Sequence, residues 1–303
     1  MIEHLFPPCG TGYIVALRAY FDASIKDNDI IAVSGVAFGM KGAKKATNKW
    51  RKVMGDRVFH MTDLHNKKKE FSDIRDGEGG EILKALVPIL NRHAKYFVSV
   101  SMSIKELSEF LPVKSSDDIG EQVIRGFKNP YSYCTQYAMY SIAMLSKSSG
   151  RSSPIHYVFE TGDDGQKSSK SFVEGLSAEG WEGFAKQHLI GGVTYSGKDS
   201  VHTLLQASDF LAWEWSRYIQ RHPDKMRPPL HLMLGDNEGK FNDFGMSVRN
   251  KRVSCTHFTG ENIKRNLRNM VDQHNVTTLP EKFEILKTYA SEPRKAAPLS
   301  IFR

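Results

Sequence analysis

The chain has 303 residues, of which 40% are hydrophobic and 25% charged, so it carries enough apolar material for a large buried core. No segment approaches the roughly 18 consecutive apolar residues of a membrane helix, and residues 1–12 lack the basic start and apolar run of a secretory signal, so we expect a cytoplasmic protein without a membrane partner. The net charge of +8 favours contact with polyanions such as nucleic acids, and three cysteines without CxxC spacing indicate neither a zinc ribbon nor a disulfide framework.

The first third of the chain predicts strands around a basic helix. Apolar residues alternate over residues 13–22, which predicts a strand with Phe21 on one face and Asp22 on the other. The turn-forming sequence IKDND separates this strand from IIAVSGVAF, so the two predict a hairpin. Next come a basic helix over residues 41–54 that ends at Gly55, a polar loop over residues 66–80, a helix over residues 81–93 and a third strand, KYFVSVSMSI.

The middle of the chain continues to alternate helix and strand signals. Asn129 and Pro130 have the residue types of a helix N-terminus, and Gly150 suits the end of that helix. The segment IHYVFETG predicts a fourth strand that carries Glu160 near its end. After it we expect a helical segment over residues 167–178, a strand with the sequence HLIGGVTYS and a helix over residues 200–221.

Strands interleaved with helices predict an α/β fold with a mixed sheet for residues 13–222. Residues 223–303 begin with a proline-rich stretch, contain a predicted helix over residues 260–274 and end in a basic tail. We therefore expect residues 223–303 to form a helical and irregular C-terminal extension. Packing of this extension on the same domain is compatible with the sequence.

Three carboxylates interrupt apolar segments. Asp22 closes the first strand, Glu160 does the same in the fourth, and Asp209 lies about 80° from the centre of the apolar stripe of its helix. An unpaired buried carboxylate costs several kcal/mol, so each of them requires a cationic partner. Each acid alone is equally consistent with a helix cap or an ion pair, whereas three acids from separate elements suit a two-metal site that holds Mg²⁺ or Mn²⁺ during phosphoryl displacement.

Four segments, YFDAS, FHMTDLH, VFETGDDGQ and YSGKDSVHTLLQASDFLAWEW, resemble in order and spacing the domain of unknown function 3800 family (DUF3800) over residues 13–220. The resemblance implies a ribonuclease H-like fold and a divalent-metal nuclease site. It implies that metal ligands lie on the first strand, on a later strand and on the closing helix, namely Asp22, Glu160 and Asp209. It further matches an FHMTD-like element and a lysine shortly before the last helix, which assigns site roles to His60, Asp63 and Lys198, with Asp63 as a fourth metal ligand.

Some alternatives stay open at the level of residues. The family usually has an acid directly after the first aspartate, where this chain has Ala23. Asp163 and Asp164 are close enough to Glu160 to replace it in another register. The segment FHMTDLH has a second interpretation, a transition-metal site with His60, Asp63 and His65 as ligands.

Three functions are compatible with these features. The leading interpretation is a Mg²⁺- or Mn²⁺-dependent nuclease that hydrolyses DNA or RNA, with Lys198 or His60 assisting charge stabilisation or proton transfer. The second is a non-catalytic protein that binds nucleic acid, motivated by Ala23 and the basic segments. The third is a metal-dependent hydrolase of a small phosphorylated substrate.

Overall fold

The described part of the chain forms one mixed β-sheet of eight strands with helices on both faces. The structure, a computed structural model, describes residues 16–26, 29–105, 129–161, 189–198, 202–220, 226–234, 240–242, 245–249 and 252–259. The strands are β1 (Leu17–Lys26), β2 (Ile30–Gly39), β3 (Ala94–Ser103), β4 (Ile155–Glu160), β5 (Ile190–Ser196), β6 (Lys240–Asn242), β7 (Gly245–Arg249) and β8 (Val253–Phe258). The helices are α1 (Met40–Met54), α2 (Met61–Asn66), α3 (Glu78–His93), α4 (Pro130–Ser148), α5 (Leu205–Gln220) and α6 (Pro228–Leu234), with a 3₁₀ turn at Lys69–Phe71.

The strand order is β5-β4-β1-β2-β3-β8-β7-β6. β1, β2 and β3 pair antiparallel as consecutive neighbours, whereas β4 lies parallel to β1 and β5 lies parallel to β4. On the other side, β8 pairs parallel with β3, and β7 and β6 complete the sheet in antiparallel order. The predicted fold class, an α/β fold with a mixed sheet flanked by helices, is confirmed, and so is the predicted β1–β2 hairpin.

Both faces of β1 are buried, which follows from the helices that cover them. Leu17, Ala19 and Phe21 belong to the core under α4, and Tyr20 belongs to the core under α5. The predicted alternation is therefore confirmed. The expectation that the strand ends at Asp22 was wrong, however, because β1 continues to Lys26. Asp22 is 1% exposed, because α5 covers its face of the strand.

Some helix ends lie where the sequence predicted them and others do not. The Asn129 side chain accepts hydrogen bonds from the backbone N–H groups of Tyr131 and Ser132 at 2.9 and 3.3 Å, so the predicted cap of α4 is confirmed. α1 ends before Gly55, whose φ of 62° suits glycine at a helix C-terminus. α3 begins earlier than predicted, at Glu78, and α5 begins later, at Leu205.

The C-terminal extension differs from the helical and irregular segment that we expected. Its described residues contain α6, which packs against α3 and α5, and three strands that join the same sheet next to β3. The predicted helices over residues 167–178 and 260–274, the basic tail, Asp163 and Asp164 all lie outside the described residues. No helix in the described ranges is long and apolar enough to cross a membrane.

Candidate active site

Three predicted acids converge on one lysine. The Nζ atom of Lys198 lies 2.8 Å from Oδ2 of Asp22, 2.9 Å from Oε2 of Glu160 and 3.0 Å from Oδ1 of Asp209. Any two of these oxygens are therefore closer together than the sum of two hydrogen-bond lengths. The structure thus brings Asp22, Glu160, Asp209 and Lys198 into one cluster, as a shared site requires.

The sheet positions two of the acids. β1 and β4 are parallel neighbours, with Phe21 opposite Phe159 in the register. The side chains of the next residues, Asp22 and Glu160, therefore project side by side from the face of the sheet that α5 covers. The second oxygen of Asp22, Oδ1, accepts a hydrogen bond from the Ala23 N–H at 2.7 Å. The parallel pairing of β1 and β4 therefore delivers two carboxylates to one point.

The helix α5 brings the third acid over the sheet. The Ser208 hydroxyl donates to the Tyr20 carbonyl at 2.6 Å, which fixes the first turns of α5 directly on β1. Asp209 follows, and its Oδ2 accepts a hydrogen bond from the Met61 N–H at 2.6 Å. With its side chain 12% exposed, Asp209 lies at the rim of the helix contact, as the helical geometry predicted.

A buried amide holds the lysine segment. Gln206 donates from Nε2 to the Lys198 carbonyl at 2.9 Å, and its Oε1 accepts a hydrogen bond from Nε1 of Trp50 at 2.7 Å. Gln206 is 3% exposed. Neither Gln206 nor Trp50 was predicted as a site residue, although a glutamine inside the apolar run LLQASDFLAW is itself a signal that a buried polar group requires partners.

His60 borders the cluster, whereas Asp63 faces another partner. Nδ1 of His60 lies 3.4 Å from Nζ of Lys198 and 3.8 Å from Oδ1 of Asp209. The His60 side chain is 37% exposed, so it forms the solvent side of the site. Asp63 forms an ion pair with Lys69 at 3.0 Å.

The proposed transition-metal alternative receives no support. The ring of His65 lies 5.0 Å from the ring of Trp213. In the described ranges, no group of three or more histidine, cysteine, aspartate or glutamate side chains has the arrangement of a metal-ion site. Around Asp22, Glu160 and Asp209 this result has a visible cause, because the Lys198 ammonium lies among the carboxylates at the point that a shared cation would take.

The electrostatics of the cluster follow from burial and from an excess of acids. Burial raises the pKa of Asp22 to about 7, against the opposing attraction of Lys198. Burial also raises the pKa of Asp209. For Lys198 burial lowers the pKa, but the attraction of three carboxylates outweighs this and raises it above its usual value. The ammonium therefore stays charged, and one positive charge faces three acidic groups.

The pKa of His60 is lowered, first by burial and then by the nearby Lys198 ammonium, with Asp209 and Asp63 acting in the opposite direction. A lowered pKa keeps the imidazole neutral at pH 7, so its Nδ1 or Nε2 atom is able to accept a proton. The cluster therefore combines oxygen ligands for a hard cation, a lysine ammonium that stays charged and a partly exposed proton acceptor.

Comparisons with known proteins give limited information. No family model and no curated protein matches the chain. Among solved structures, the ribonuclease H2 from Pyrococcus horikoshii OT3 aligns with 91% of this chain and 100% of its own, at 12% identity and a TM-score of 0.36. A likeness of that strength carries no argument about activity, so the resemblance to the domain of unknown function 3800 family stays a prediction and the site rests on its own geometry.

Proposed function

We propose that this protein is a divalent-metal-dependent nuclease that hydrolyses phosphodiester bonds of DNA or RNA. The observation that carries the proposal is the convergence of Asp22, Glu160 and Asp209, from two strands and one helix, within hydrogen-bond distance of one cationic atom. Carboxylates assembled from separate elements are the ligands by which proteins hold Mg²⁺ or Mn²⁺ in phosphoryl transfer.

The donor set suits a divalent ion. Its atoms are hard carboxylate oxygens, and one ammonium leaves the buried cluster with more acidic groups than positive charges, an excess that an added cation would balance. Asp22, Glu160 and Asp209 would hold the ion, and Lys198 has to withdraw its Nζ atom to admit it. When bound, Mg²⁺ or Mn²⁺ would activate a water and stabilise the leaving oxygen, as metal ions do in two-metal nucleases.

The residues of the chain supply the remaining chemistry. Once moved away from the carboxylate oxygens, the Lys198 ammonium would stabilise negative charge on a phosphate next to them. The neutral His60 imidazole, at the solvent side, is placed to move a proton to or from the attacking or leaving oxygen. Asp63 is the weakest member of the predicted ligand set, since its carboxylate is engaged by Lys69 at 3.0 Å.

The distribution of positive charge supports a polyanionic substrate. The predicted basic helix is present as α1, and Arg51 of that helix donates from Nε to the hydroxyl of Thr203, which precedes α5. This contact connects α1 to the segment between Lys198 and Asp209. Other basic side chains of α1 are exposed, namely Lys41, Lys44, Lys45, Lys49 and Lys52. An exposed basic helix beside an acidic site attracts a phosphate backbone while the acids bind the metal.

One observation favours a second function, a non-catalytic protein that binds nucleic acid. The Lys198 ammonium neutralises part of the acidic cluster without any metal, so the cluster has a purely structural use as a buried ion-pair network. Under this function the basic surface binds nucleic acid and no cleavage follows.

The deciding experiment incubates the purified full chain with single-stranded, duplex and hybrid oligonucleotides in Mg²⁺, in Mn²⁺ and in EDTA. We expect cleavage only with metal, and a loss of at least about 100-fold in Asp22→Asn and in Asp209→Asn. The matched control is Asp73→Asn, because Asp73 is exposed and pairs with Arg57. Equal cleavage in all variants would refute the site, and salt-sensitive binding without cleavage of any substrate would establish the second function.

A further inference from the structure

A second polar cluster lies on the same sheet face as the carboxylates. Arg18 precedes Asp22 by four residues on β1, and His156 precedes Glu160 by four residues on β4, so all four share one face. Arg18 and His156 are direct partners in the register of the two strands. At about 3.3 Å per residue, this pair lies about 13 Å along the sheet from the two acids.

The contacts of this cluster leave buried nitrogen atoms unused. Nε2 of His156 lies 2.8 Å from the hydroxyl oxygen of Thr194 on β5, and the Arg18 guanidinium adjoins the Tyr20 hydroxyl. Nε of Arg18 and Nδ1 of His156 are both buried and have no hydrogen-bond partner within the described ranges. An arginine N–H is a permanent donor, and leaving it buried without an acceptor is costly.

The surroundings of the cluster are positive. The pKa of His156 is lowered to about 4, first by burial and then by its neighbours Arg18 and His202, and the Arg18 guanidinium is a permanent positive charge. His202 lies just before α5, with its ring 6.4 Å from the ring of Tyr20. The cluster thus offers nitrogen donors and a positive guanidinium, whereas the carboxylate cluster on the same face offers acidic oxygens. Nε of Arg18 and Nδ1 of His156 are the buried nitrogen atoms that a ligand would reach. The cluster suits an anion with several acceptor oxygens.

We propose that Arg18, His156 and Thr194, bordered by His202, form a phosphate-binding subsite. A phosphate group offers acceptor oxygens to the fork of Arg18 and to the ring of His156, a geometry that guanidinium groups recognise in a bidentate manner. This inference rests on the proposed function for its substrate, because a backbone phosphate of a nucleic acid would bind here while another phosphate lies at the carboxylates. The separation of about 13 Å corresponds to a few phosphates along one strand of a duplex, which follow one another every 3.4 Å of helix axis.

The subsite is tested by oligonucleotide binding in EDTA, where no cleavage occurs. Fluorescence anisotropy of a labelled oligonucleotide over a KCl series compares the full-length wild type with Arg18→Gln, Arg18→Lys and the control Arg92→Gln, which removes an exposed arginine on α3. We expect Arg18→Gln to weaken binding about tenfold and to reduce the salt slope by about 0.9, the value for one lost phosphate contact. Arg18→Lys should keep the slope and lose affinity, because an ammonium lacks the fork.

A parallel arm uses inorganic phosphate, whose binding is followed by ³¹P line broadening. Phosphate binding lost in Arg18→Gln, with oligonucleotide binding unchanged, would assign the subsite to free phosphate and overturn the nucleic-acid reading. If Arg18→Gln binds both the oligonucleotide and inorganic phosphate as well as the control Arg92→Gln does, the proposed subsite is refuted. Where Arg18→Gln fails to fold, Arg18→Lys decides, since wild-type affinity in that variant contradicts bidentate recognition.

The outcomes separate this inference from the proposed function. A wild type that cleaves nothing but binds oligonucleotides with an Arg18-dependent salt slope removes the nuclease and keeps the subsite. If cleavage is lost in Asp22→Asn while Arg18→Gln binds both the oligonucleotide and phosphate as wild type does, the nuclease is kept and the subsite is removed. Urea unfolding of Arg18→Gln gives one further check. Because a buried N–H without a partner does not stabilise the fold, the substitution should cost little unfolding free energy. A large destabilisation with unchanged binding would instead show that Arg18 has a purely structural role.

Discussion

Lys198→Met should convert the carboxylate cluster from a self-neutralised site into one that depends on added metal for stability. The substitution keeps the length and the apolar stem of the side chain and removes the ammonium that lies within 3.0 Å of three carboxylates. The lysine side chain is 5% exposed, so water does not replace the lost charge. The acids are then left buried without their only described cationic partner within ion-pair distance.

The magnitude follows from the cost of breaking a buried ion pair. Removing one partner of such a pair costs about 3–5 kcal/mol, because the remaining charge is uncompensated. The pKa of Asp22 is about 7 with the Lys198 ammonium in place, so at pH 8 the wild type holds a mostly ionised carboxylate. Without that ammonium the variant either keeps this charge unpaired or takes up a proton, and both cost free energy. In EDTA at pH 8 we therefore expect the variant to lose about 3–5 kcal/mol of unfolding free energy relative to wild type.

Metal should reverse this difference. In wild type a divalent ion has to displace the ammonium, whereas in Lys198→Met the oxygens are available, so the variant binds the ion more tightly. A ligand present at 100 times its dissociation constant stabilises the folded state by about 2.7 kcal/mol. We expect Mn²⁺ to restore stability of that order in the variant and to stabilise wild type less. Urea unfolding with and without Mn²⁺, together with calorimetric titration, measures both effects.

The matched control is Lys69→Met. Lys69 also pairs with a carboxylate at 3.0 Å, but its side chain is 73% exposed, so its loss should cost less than about 1 kcal/mol. If Lys198→Met is no less stable than this control in EDTA, Lys198 does not hold the acids together. If Mn²⁺ stabilises wild type and variant equally, the ammonium does not compete with a cation for these oxygens.

Two further predictions concern neighbouring residues. Burial raises the pKa of Asp22 to about 7, so between about pH 4 and pH 7 the folded chain retains a proton that the unfolded chain has released, and wild-type stability in EDTA should fall as the pH rises through this window. Asp22→Asn should lose that part of the pH dependence, which urea unfolding at pH 5 and pH 8 measures, and an equal fall in both proteins would contradict the assignment. Gln206→Leu leaves the Trp50 N–H and the Lys198 carbonyl without their partner, at a cost of about 1–3 kcal/mol for each buried group, and a loss below about 1 kcal/mol in urea unfolding would show that neither bond contributes.

Local sequence signals predicted the elements that carry the site because these signals act over a few residues. The Asn129 cap and the alternation along β1 depend on neighbours in the chain, and the structure confirms both. The start of α5 was placed too early because Val201 falls on the same predicted apolar stripe as Leu205, although residues 202–204 form a bend and turns rather than helix. Pattern alone does not distinguish a helix from the turn that leads into it.

Long-range pairing accounts for what local signals did not predict. β8 pairs with β3 although about 150 residues separate them, and nothing in its sequence, VSCTHF, indicates β3 as its partner. The position of Lys198 is a similar case. Its place before the last helix was visible in the sequence, but the three short distances to Nζ depend on how β4, β5 and α5 pack together.

The structure also changes the meaning of Ala23, the residue at which the chain departs from the family pattern. Successive side chains of a strand point to opposite faces, so residue 23 shares the face of Phe21 rather than that of Asp22. Ala23 indeed packs against the core under α4, on the side opposite Lys198, and contributes to the site only through the backbone N–H that it donates to Asp22. An acid at this position would point away from the carboxylate cluster. The alanine therefore removes no ligand from the site, and it gives no reason to prefer a non-catalytic protein over a nuclease.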